Sequence, residues 1–416
     1  MSIGYACLTI GEENTGLTIC QLKNASPQKL RDMIANNLTS LETMLEYNSK
    51  NRIKLFRISS DLIPFGSHPV NQICWWEEFK PRLTEIGRKL RAEGIRVSMH
   101  PGQYTVLNSP VQEVVDRAVL DLVYHARVLD SLQTEESSKI ILHIGGSYGD
   151  KKAAADRFIR EYQLLPEEVR RRLILENDER NYTIAEVLYI AEAIGCPVVF
   201  DNLHHRINPS REFREEVEWI ERCQATWREK DGPQKIHYSQ QKEGSNPGSH
   251  SDTIATAAFL EFFERLPVSI PDIMLEVKDK NLSAVKCIHL IEHAKAASLE
   301  EEWARYKYLI LSRSAKAYQS IRELLKNKTS EAALEFYQII EAALALPEDT
   351  GAQVNAAQHM WGYISRASGE KELKRFERLL TAYTNGGSIA PLKNFLYRCA
   401  KERSLTYLMK SLYFFL

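Results

Sequence analysis

Residues 1–290 alternate short runs of apolar and β-branched residues with longer segments of helical period. Regular alternation of strands and helices is typical of a parallel sheet that is covered by helices. Eight runs have the composition of buried strands: 3–7, 55–58, 96–99, 139–142, 172–175, 197–200, 235–238 and 273–277. Because eight parallel strands are the number that closes a barrel of this kind, the sequence predicts an α/β fold, the (β/α)8 TIM barrel.

Beyond about residue 299 the strand patterns stop and long helical patterns replace them. These patterns cover 301–327, 330–345, 352–368, 371–384 and 388–416. We therefore expect two domains, a TIM barrel over 1–290 and a smaller all-α domain over 299–416. Aromatic residues at helical spacing in the second domain, such as Trp303, Tyr318 and Phe336, are expected to lie in its core.

Composition excludes several other classes of protein. The chain of 416 residues is 44% hydrophobic and 26% charged, which is ordinary for folded domains and unlike a disordered chain. Seven cysteines without a CxxC pair indicate neither a disulfide framework nor a thiolate zinc site. No apolar run is long enough to span a membrane and no signal-peptide pattern is present, so we expect a cytoplasmic protein. Nothing in the sequence indicates an obligate protein partner.

Charge is unevenly distributed along the chain. The formal net charge is −1, from 54 Lys and Arg against 55 Asp and Glu. Residues 297–416 carry 17 basic and 13 acidic residues, so residues 1–296 carry an acidic excess of five. Such an excess is either ordinary surface composition or a set of carboxylates that holds metal ions.

Side chains that bind metals recur where the predicted strands end. In a TIM barrel the carboxyl ends of the strands and the loops after them form the active site. Imidazoles together with carboxylates suit Zn²⁺, Mn²⁺ or Fe²⁺ better than Mg²⁺, which prefers ligands that are all oxygen atoms. The set is too large for one ion, so we expect two or three ions that activate a water for phosphodiester hydrolysis. The candidates are His68, His100, His143, Glu176, Asp201, His204, His237, His250 and Glu276.

A lysine lies within the same predicted set. Lys235 and His237 are two residues apart on one strand, so both side chains are expected to point into the barrel. An ammonium group beside divalent cations is repelled. The Lys235 ammonium is therefore expected to reach solvent or to pair with Glu276. Alternatively, the amine of Lys235 is carboxylated, which converts it into an anionic ligand.

Several motifs closely resemble those of the UV damage endonuclease family, in order across residues 1 to about 290. The most specific are SMHPGQY at 98–104 and LENDER at 175–180. The others are FRIS at 56–59, SHP at 67–69, LHIGG at 142–146, DNLHH at 201–205 and KIH at 235–237. The resemblance implies a TIM barrel similar to endonuclease IV that incises double-stranded DNA immediately 5′ of UV photoproducts, both pyrimidine dimers and 6-4 products. It leaves a 3′-hydroxyl and a 5′-phosphate.

The resemblance also implies a metal centre of two to three divalent ions, with Mn²⁺ expected and Zn²⁺ or Co²⁺ as alternatives. It implies N6-carboxylation of Lys235 and a catalytic position for His68 beside the scissile phosphate. By the same resemblance, one ion is bound by His100, His143 and Glu176, a second by Glu176, Asp201, His237 and Glu276, and a third by His204 and His250.

Base flipping is a further expectation from the resemblance, because a stacked lesion does not reach a metal centre. Gln103 and Tyr104 match the pair of residues that wedges into the duplex, and Tyr5 matches an aromatic residue that lines the lesion site. Residues 7–11 depart from the family pattern. In the second domain, 305–309 and 314–318 resemble a bacterial helical domain of unknown role.

Three alternatives remain open from the sequence. The first is an abasic-site endonuclease of the endonuclease IV type on the same barrel. The second is a metal-dependent sugar isomerase, which needs two metals and no wedge. The third is a DNA-binding or scaffold protein in which the histidines are structural.

Overall fold

The computed structural model describes residues 1–327 and 332–416, and its chain divides into two compact units. The first unit comprises Met1–Thr9, Glu13–Ile254 and Ala258–Val285. The second comprises Ile10–Glu12, Ala255–Ala257 and Lys286–Leu416. The predicted domain limits, 1–290 and 299–416, stay predictions.

Eight short strands form one sheet in the first unit, and every pair of neighbouring strands is parallel. The strand order is β6-β5-β4-β3-β2-β1-β8-β7, and a parallel bridge between Asp201 and His237 joins its two ends. The predicted TIM barrel is thereby confirmed. The strands are β1 Ile3–Ala6, β2 Leu55–Ile58, β3 Arg96–Met99, β4 Ile140–His143, β5 Leu173–Glu176, β6 Val198–Val199, β7 Lys235–Tyr238 and β8 Asp272–Leu275.

Eleven α-helices lie among and after these strands within the described residues up to Ile291. Local sequence explains several of their ends. Ser26 caps the first helix through its hydroxyl, with Pro27 at the first helical position, and Gly195 ends the seventh with a φ of 68°. The helices are α1 Pro27–Lys50, α2 Trp75–Glu78, α3 Lys80–Ala92, α4 Gln112–Ser131, α5 Lys151–Leu164, α6 Glu167–Arg170, α7 Ile184–Ile194, α8 Asn202–Ile207, α9 Glu216–Gln224, α10 Thr256–Glu264 and α11 Asn281–Ile291.

The remaining described α-helices belong to the helical part of the chain, as predicted, with different limits. The pattern at 301–327 is two helices, because Ser312 ends one and the Ser314 hydroxyl accepts a hydrogen bond from Ala317 N–H at the start of the next. The pattern at 388–416 breaks at Ser404, whose φ is 53°. These helices are α12 Ala296–Leu311, α13 Ala315–Asn327, α14 Ala332–Leu344, α15 Thr350–Ile364, α16 Glu370–Thr384, α17 Ala390–Glu402 and α18 Thr406–Met409.

Burial largely follows the predicted pattern. The strands are buried on both faces, as parallel strands under helices must be. In the helical unit Phe336 is buried, but Trp303 and Tyr318 are only partly buried, which corrects the expectation that all three are core residues. The predicted helical pattern 330–345 begins at residues 330–331, which lie outside the described residues. Across the described residues, no helix has both the length and the apolar character that crossing a bilayer requires.

Candidate metal centre

Glu176 lies at the centre of a group of imidazoles and carboxylates at the carboxyl ends of the strands. It ends β5, and the β4–β5 register sets it beside His143, the last residue of β4. Its Oε2 lies 3.0 Å from Nε2 of His100 and 3.5 Å from Nε2 of His143. Its Oε1 accepts a short hydrogen bond from Nδ1 of His237, on β7. The carboxylate therefore joins side chains from three other strands or strand ends.

Three sets of side chains around this carboxylate have ligand atoms close enough to share a metal ion. Each set offers nitrogen and oxygen donors within 4.8 Å of one another. Glu176 belongs to all three sets, so its carboxylate would be a ligand that they share. The sets are His100, His143 and Glu176; Glu176, Asp201 and His204; and Glu176, His237 and Glu276.

The protonation states of Glu176, His143 and His237 favour cation binding. Burial alone raises the pKa of Glu176, but the neighbouring His237 and His143 outweigh burial and hold that pKa well below its usual range. Burial lowers the pKa of His143 and of His237 to about 4. At neutral pH Glu176 is therefore an anion beside the neutral imidazoles of His143 and His237, the forms that bind metals. Burial lowers the pKa of His204, but Asp201 and the two glutamates of the site outweigh burial and raise it to about 9, so a metal that binds there must displace a proton.

Two buried atoms have the chemistry of metal ligands. Oδ2 of Asp201 and Nδ1 of His143 are buried and make no hydrogen bond, whereas Oδ1 of Asp201 caps α8 by accepting His204 N–H at 2.7 Å. Burial raises the pKa of Asp201, and Glu176 and Glu276 raise it further. An unpaired buried carboxylate oxygen is costly, so it indicates a partner such as a metal ion. The donor set therefore fits divalent metals.

Arg57 is a site residue that the strand-end pattern did not identify. It lies within β2, and its Nη2 donates to Oε1 of Glu276 at 2.6 Å and lies 2.9 Å from Nε2 of His237. Burial raises the pKa of Glu276, but the Arg57 guanidinium outweighs burial and lowers that pKa. The signal for Arg57 is a charged residue inside a strand that is otherwise apolar.

The sequence patterns also did not identify two asparagines, each of which directly follows a candidate ligand. The Asn177 amide accepts Asp201 N–H at 2.9 Å and donates to Asp201 C=O at 3.0 Å. The Asn202 amide does the same to Ser239, at 2.8 and 3.1 Å. Each side chain thus replaces a strand-to-strand pairing where β6 is only two residues long. We call Asn177 and Asn202 the amide clamps.

The other predicted site residues lie at different depths. His250, in the loop after β7, has its Nε2 3.7 Å from Oε2 of Glu276. Lys235 is buried in β7, and burial, with Arg96 and Arg57, lowers its pKa well below the usual value. His68 is exposed in the loop after β2, and its described hydrogen bond is local, from Val70 N–H at 3.1 Å.

A cavity of about 620 Å³ opens beside the cluster. His143, His204 and Glu276 line it, as do Gln103 and Tyr104, and the Tyr104 side chain is 75% exposed. The loop after β5 also lines it, and the Asp178 carboxylate shapes that loop by accepting backbone N–H groups of residues 180–182.

The structure does not bring Tyr5 to this cavity. Tyr5 is fully buried, and its hydroxyl donates to Oδ1 of Asn48, on α1, at 2.8 Å. Its ring packs edge-on against Phe56, with ring centroids 5.2 Å apart. The predicted contact of Tyr5 with a lesion therefore gains no support from this arrangement.

Comparison with known proteins gives two family matches. The family described as UV-endonuclease UvdE matches residues 1–304. A family described as protein of unknown function (DUF1722) matches residues 307–416.

Individual relatives agree with the first match. A UV DNA damage endonuclease of Clostridium perfringens (strain 13 / Type A) is 41% identical over 356 residues, 84% of this chain and 84% of the relative. One of Bacillus cereus (strain Q1) is 34% identical over 64% of this chain and 84% of its own length. The solved structure of SacUVDE is 36% identical, with a TM-score of 0.66 over 70% of this chain and 98% of that protein. The chain therefore belongs to the UV-endonuclease UvdE family.

Proposed function

We propose that this chain is a DNA repair endonuclease that hydrolyses the phosphodiester immediately 5′ of a UV photoproduct in double-stranded DNA. Family membership supports action on UV-damaged DNA, because the relatives are named UV DNA damage endonucleases. The observation that carries the chemistry is the Glu176 carboxylate, which is shared by three sets of metal-binding side chains.

The three sets would hold two or three divalent ions, with Mn²⁺ the proposed metal. When bound, such ions lower the pKa of a water and offset the negative charge of the phosphate during displacement. His100 and His143 supply neutral imidazoles to one set, and Asp201 and His204 supply ligands to another. His237, Glu276 and His250 surround the remaining position, where Arg57 fixes the direction of the Glu276 carboxylate.

Lys235 is proposed to carry a carboxylate on its amine. The side chain is buried beneath His237 on the same face of β7, so a charged ammonium there would lie close to the cations. Reaction of the neutral amine with carbon dioxide forms a C–N bond and releases one proton, which gives an anionic carbamate.

The cavity rim is the proposed DNA-binding surface. Gln103 and Tyr104 lie at this rim, and the exposed Tyr104 ring is suited to fill the gap that flipped bases leave in the duplex. A weakly stacked lesion costs less to flip than intact bases, which favours damaged sites. His68 is proposed to approach the phosphate from the loop after β2, and its exposed position leaves it accessible to DNA.

The test is incision of three end-labelled duplexes with Mn²⁺, one carrying a pyrimidine dimer, one an abasic site and one undamaged. We expect a cut directly 5′ of the dimer that leaves a 3′ end which a polymerase extends. His204→Ala should lower the rate more than about 100-fold, because a ligand matters at least as much as its supporting residues. His205→Ala is the matched control, since His205 packs against Phe200 and Trp219 instead.

Two results would contradict the proposal. If the abasic duplex is cut and the dimer duplex is not, the chain is an abasic-site endonuclease. If none of the duplexes is cut while Mn²⁺ is bound, the site performs a different reaction.

A further inference from the structure

A patch of aromatic and basic side chains lies on one face of the helical unit. Trp303 and Lys307 are four residues apart on α12, and Tyr318 and Arg322 are four residues apart on α13, so each pair shares a helix face. Residues from α15 and α18 extend the same face. We call this set the aromatic patch: Trp303, Lys307, Tyr318, Arg322, Tyr363 and Tyr407.

The members of the aromatic patch form two groups of contacts, and Trp303 of one group lies one helical turn from Lys307 of the other on α12. The rings of Trp303 and Tyr318 have centroids 5.4 Å apart, and the Arg322 guanidinium lies 5.8 Å from the Tyr318 centroid. The rings of Tyr363 and Tyr407 are 6.1 Å apart. The Lys307 ammonium lies 5.9 Å from the centroid of Tyr407. The patch therefore brings rings and cations from four helices onto one surface.

The rings of this patch stay accessible at its edge. Tyr363 is 45% exposed and Tyr407 is 39% exposed, whereas Tyr308 beneath them is buried and packs edge-on against Tyr407 at 6.2 Å. Tyr308 thus supplies the structural support, and the outer rings keep free surface. Residues 297–416 also carry 17 basic against 13 acidic residues, so this part of the chain is net positive.

We propose that the aromatic patch binds single-stranded DNA. Exposed rings stack on unpaired bases of any sequence, and interleaved cations neutralise the phosphates between them. A duplex hides its base faces, so it does not offer this contact. The preference for DNA over RNA rests on the proposed function of the barrel, whereas the preference for a single strand rests on the patch alone.

The test is fluorescence anisotropy of a labelled thymidine oligonucleotide with the full chain, with divalent metals removed so that the strand stays intact. Each stacked base contributes at least about 1 kcal/mol, so removal of two rings in Tyr363→Ala with Tyr407→Ala should weaken binding at least about 30-fold. Tyr407→Phe should bind as the unmodified chain does, because stacking needs the ring and not the hydroxyl. Lys307→Gln should lower the slope of log affinity against log salt by about 0.7.

Tyr189→Ala is the control, since Tyr189 is 72% exposed on α7 and lies outside the patch. Thermal unfolding of each variant shows whether the helical unit is intact. If the alanine variants unfold, Tyr407→Phe and Lys307→Gln still test the proposal. The proposal would be overturned if the folded double variant bound the oligonucleotide as tightly as the unmodified chain does. Loss of binding with Tyr407→Phe would overturn it as well. Tighter binding of a uridine oligonucleotide would overturn the assignment to DNA. Incision of damaged duplexes is measured separately, so failure of either idea leaves the other testable.

Discussion

The proposed chemistry of this chain depends on a few charged and polar residues at the strand ends of the barrel. Strand-end histidines and carboxylates could be predicted from sequence, because the alternation of strands and helices locates the strand ends. Arg57 and the amide clamps could not, because arginine and asparagine are common at surfaces and only the folded barrel shows what they contact. Tyr5 shows a limit of the family resemblance. The resemblance implied a contact of this residue with the lesion, but it does not reveal that the Tyr5 hydroxyl donates a hydrogen bond to Asn48 on α1.

Replacing Arg57 should destabilise the protein more without metal than with bound metal. Arg57→Met leaves the buried Glu276 carboxylate without its cation, and breaking a buried ion pair costs about 3–5 kcal/mol in free energy of unfolding. Bound Mn²⁺ would supply the missing positive charge, so the loss should be clearly smaller in saturating metal. Denaturant unfolding with and without Mn²⁺ measures both values.

The matched control for this variant is Arg172→Met. Arg172 is equally buried and pairs with Asp130 at 2.6 Å, outside the three ligand sets. Its loss should be the same with and without metal. If Mn²⁺ rescued neither variant, Glu276 would not be a metal ligand.

The amide clamps should act on metal affinity as well as on stability. Asn177→Ala unpairs two backbone groups of Asp201, at about 1–3 kcal/mol for each buried group left unsatisfied. It also loosens a candidate ligand, and removal of such supporting contacts lowers metal affinity about 10–100-fold. Calorimetric titration with Mn²⁺ measures the change. Asn37→Ala, at a buried asparagine on α1, should lower stability and leave the affinity unchanged.

At the scale of elements, the strands and the barrel helices were largely predictable because hydrophobic periodicity reports burial directly. The helix ends in the second domain were not, since Ser312, Ser314 and Ser404 interrupt patterns that otherwise read as continuous. Loop positions depend on tertiary contacts, and the loop at the cavity rim after β3 could be assigned a role only through the family motif.

That rim loop gives a prediction that separates DNA recognition from folding. Tyr104→Ala should lower incision of a dimer-containing duplex by about 5-fold or more, because a stacking contact worth at least about 1 kcal/mol is lost. The free energy of unfolding should change by less than about 0.5 kcal/mol, since Tyr104 is exposed. Tyr189→Ala should change neither quantity. Unchanged incision by Tyr104→Ala would remove the residue from the proposed wedge.

At the scale of the whole molecule, a net charge of −1 does not indicate where positive charge would contact the phosphates of the proposed DNA substrate. Part of the acidic excess in residues 1–296 is the set of buried carboxylates at the strand ends. Divalent ions bound there would turn this acidic region into a local positive site at the barrel opening. Residues 297–416 are net positive and carry the aromatic patch. Sequence could predict this division of charge, and the family resemblance implied Glu176 as a ligand of two ions. The additional set of Glu176 with Asp201 and His204 required the fold.

The most direct test of the account follows metal binding and incision in the same sample. Metal-stripped protein is titrated with Mn²⁺ while bound ions per chain and cleavage of a dimer-containing duplex are both measured. We expect no cleavage without metal, then cleavage directly 5′ of the dimer that rises as two to three ions bind. Cleavage at full rate in the presence of a chelator, or complete filling without any incision, would contradict it.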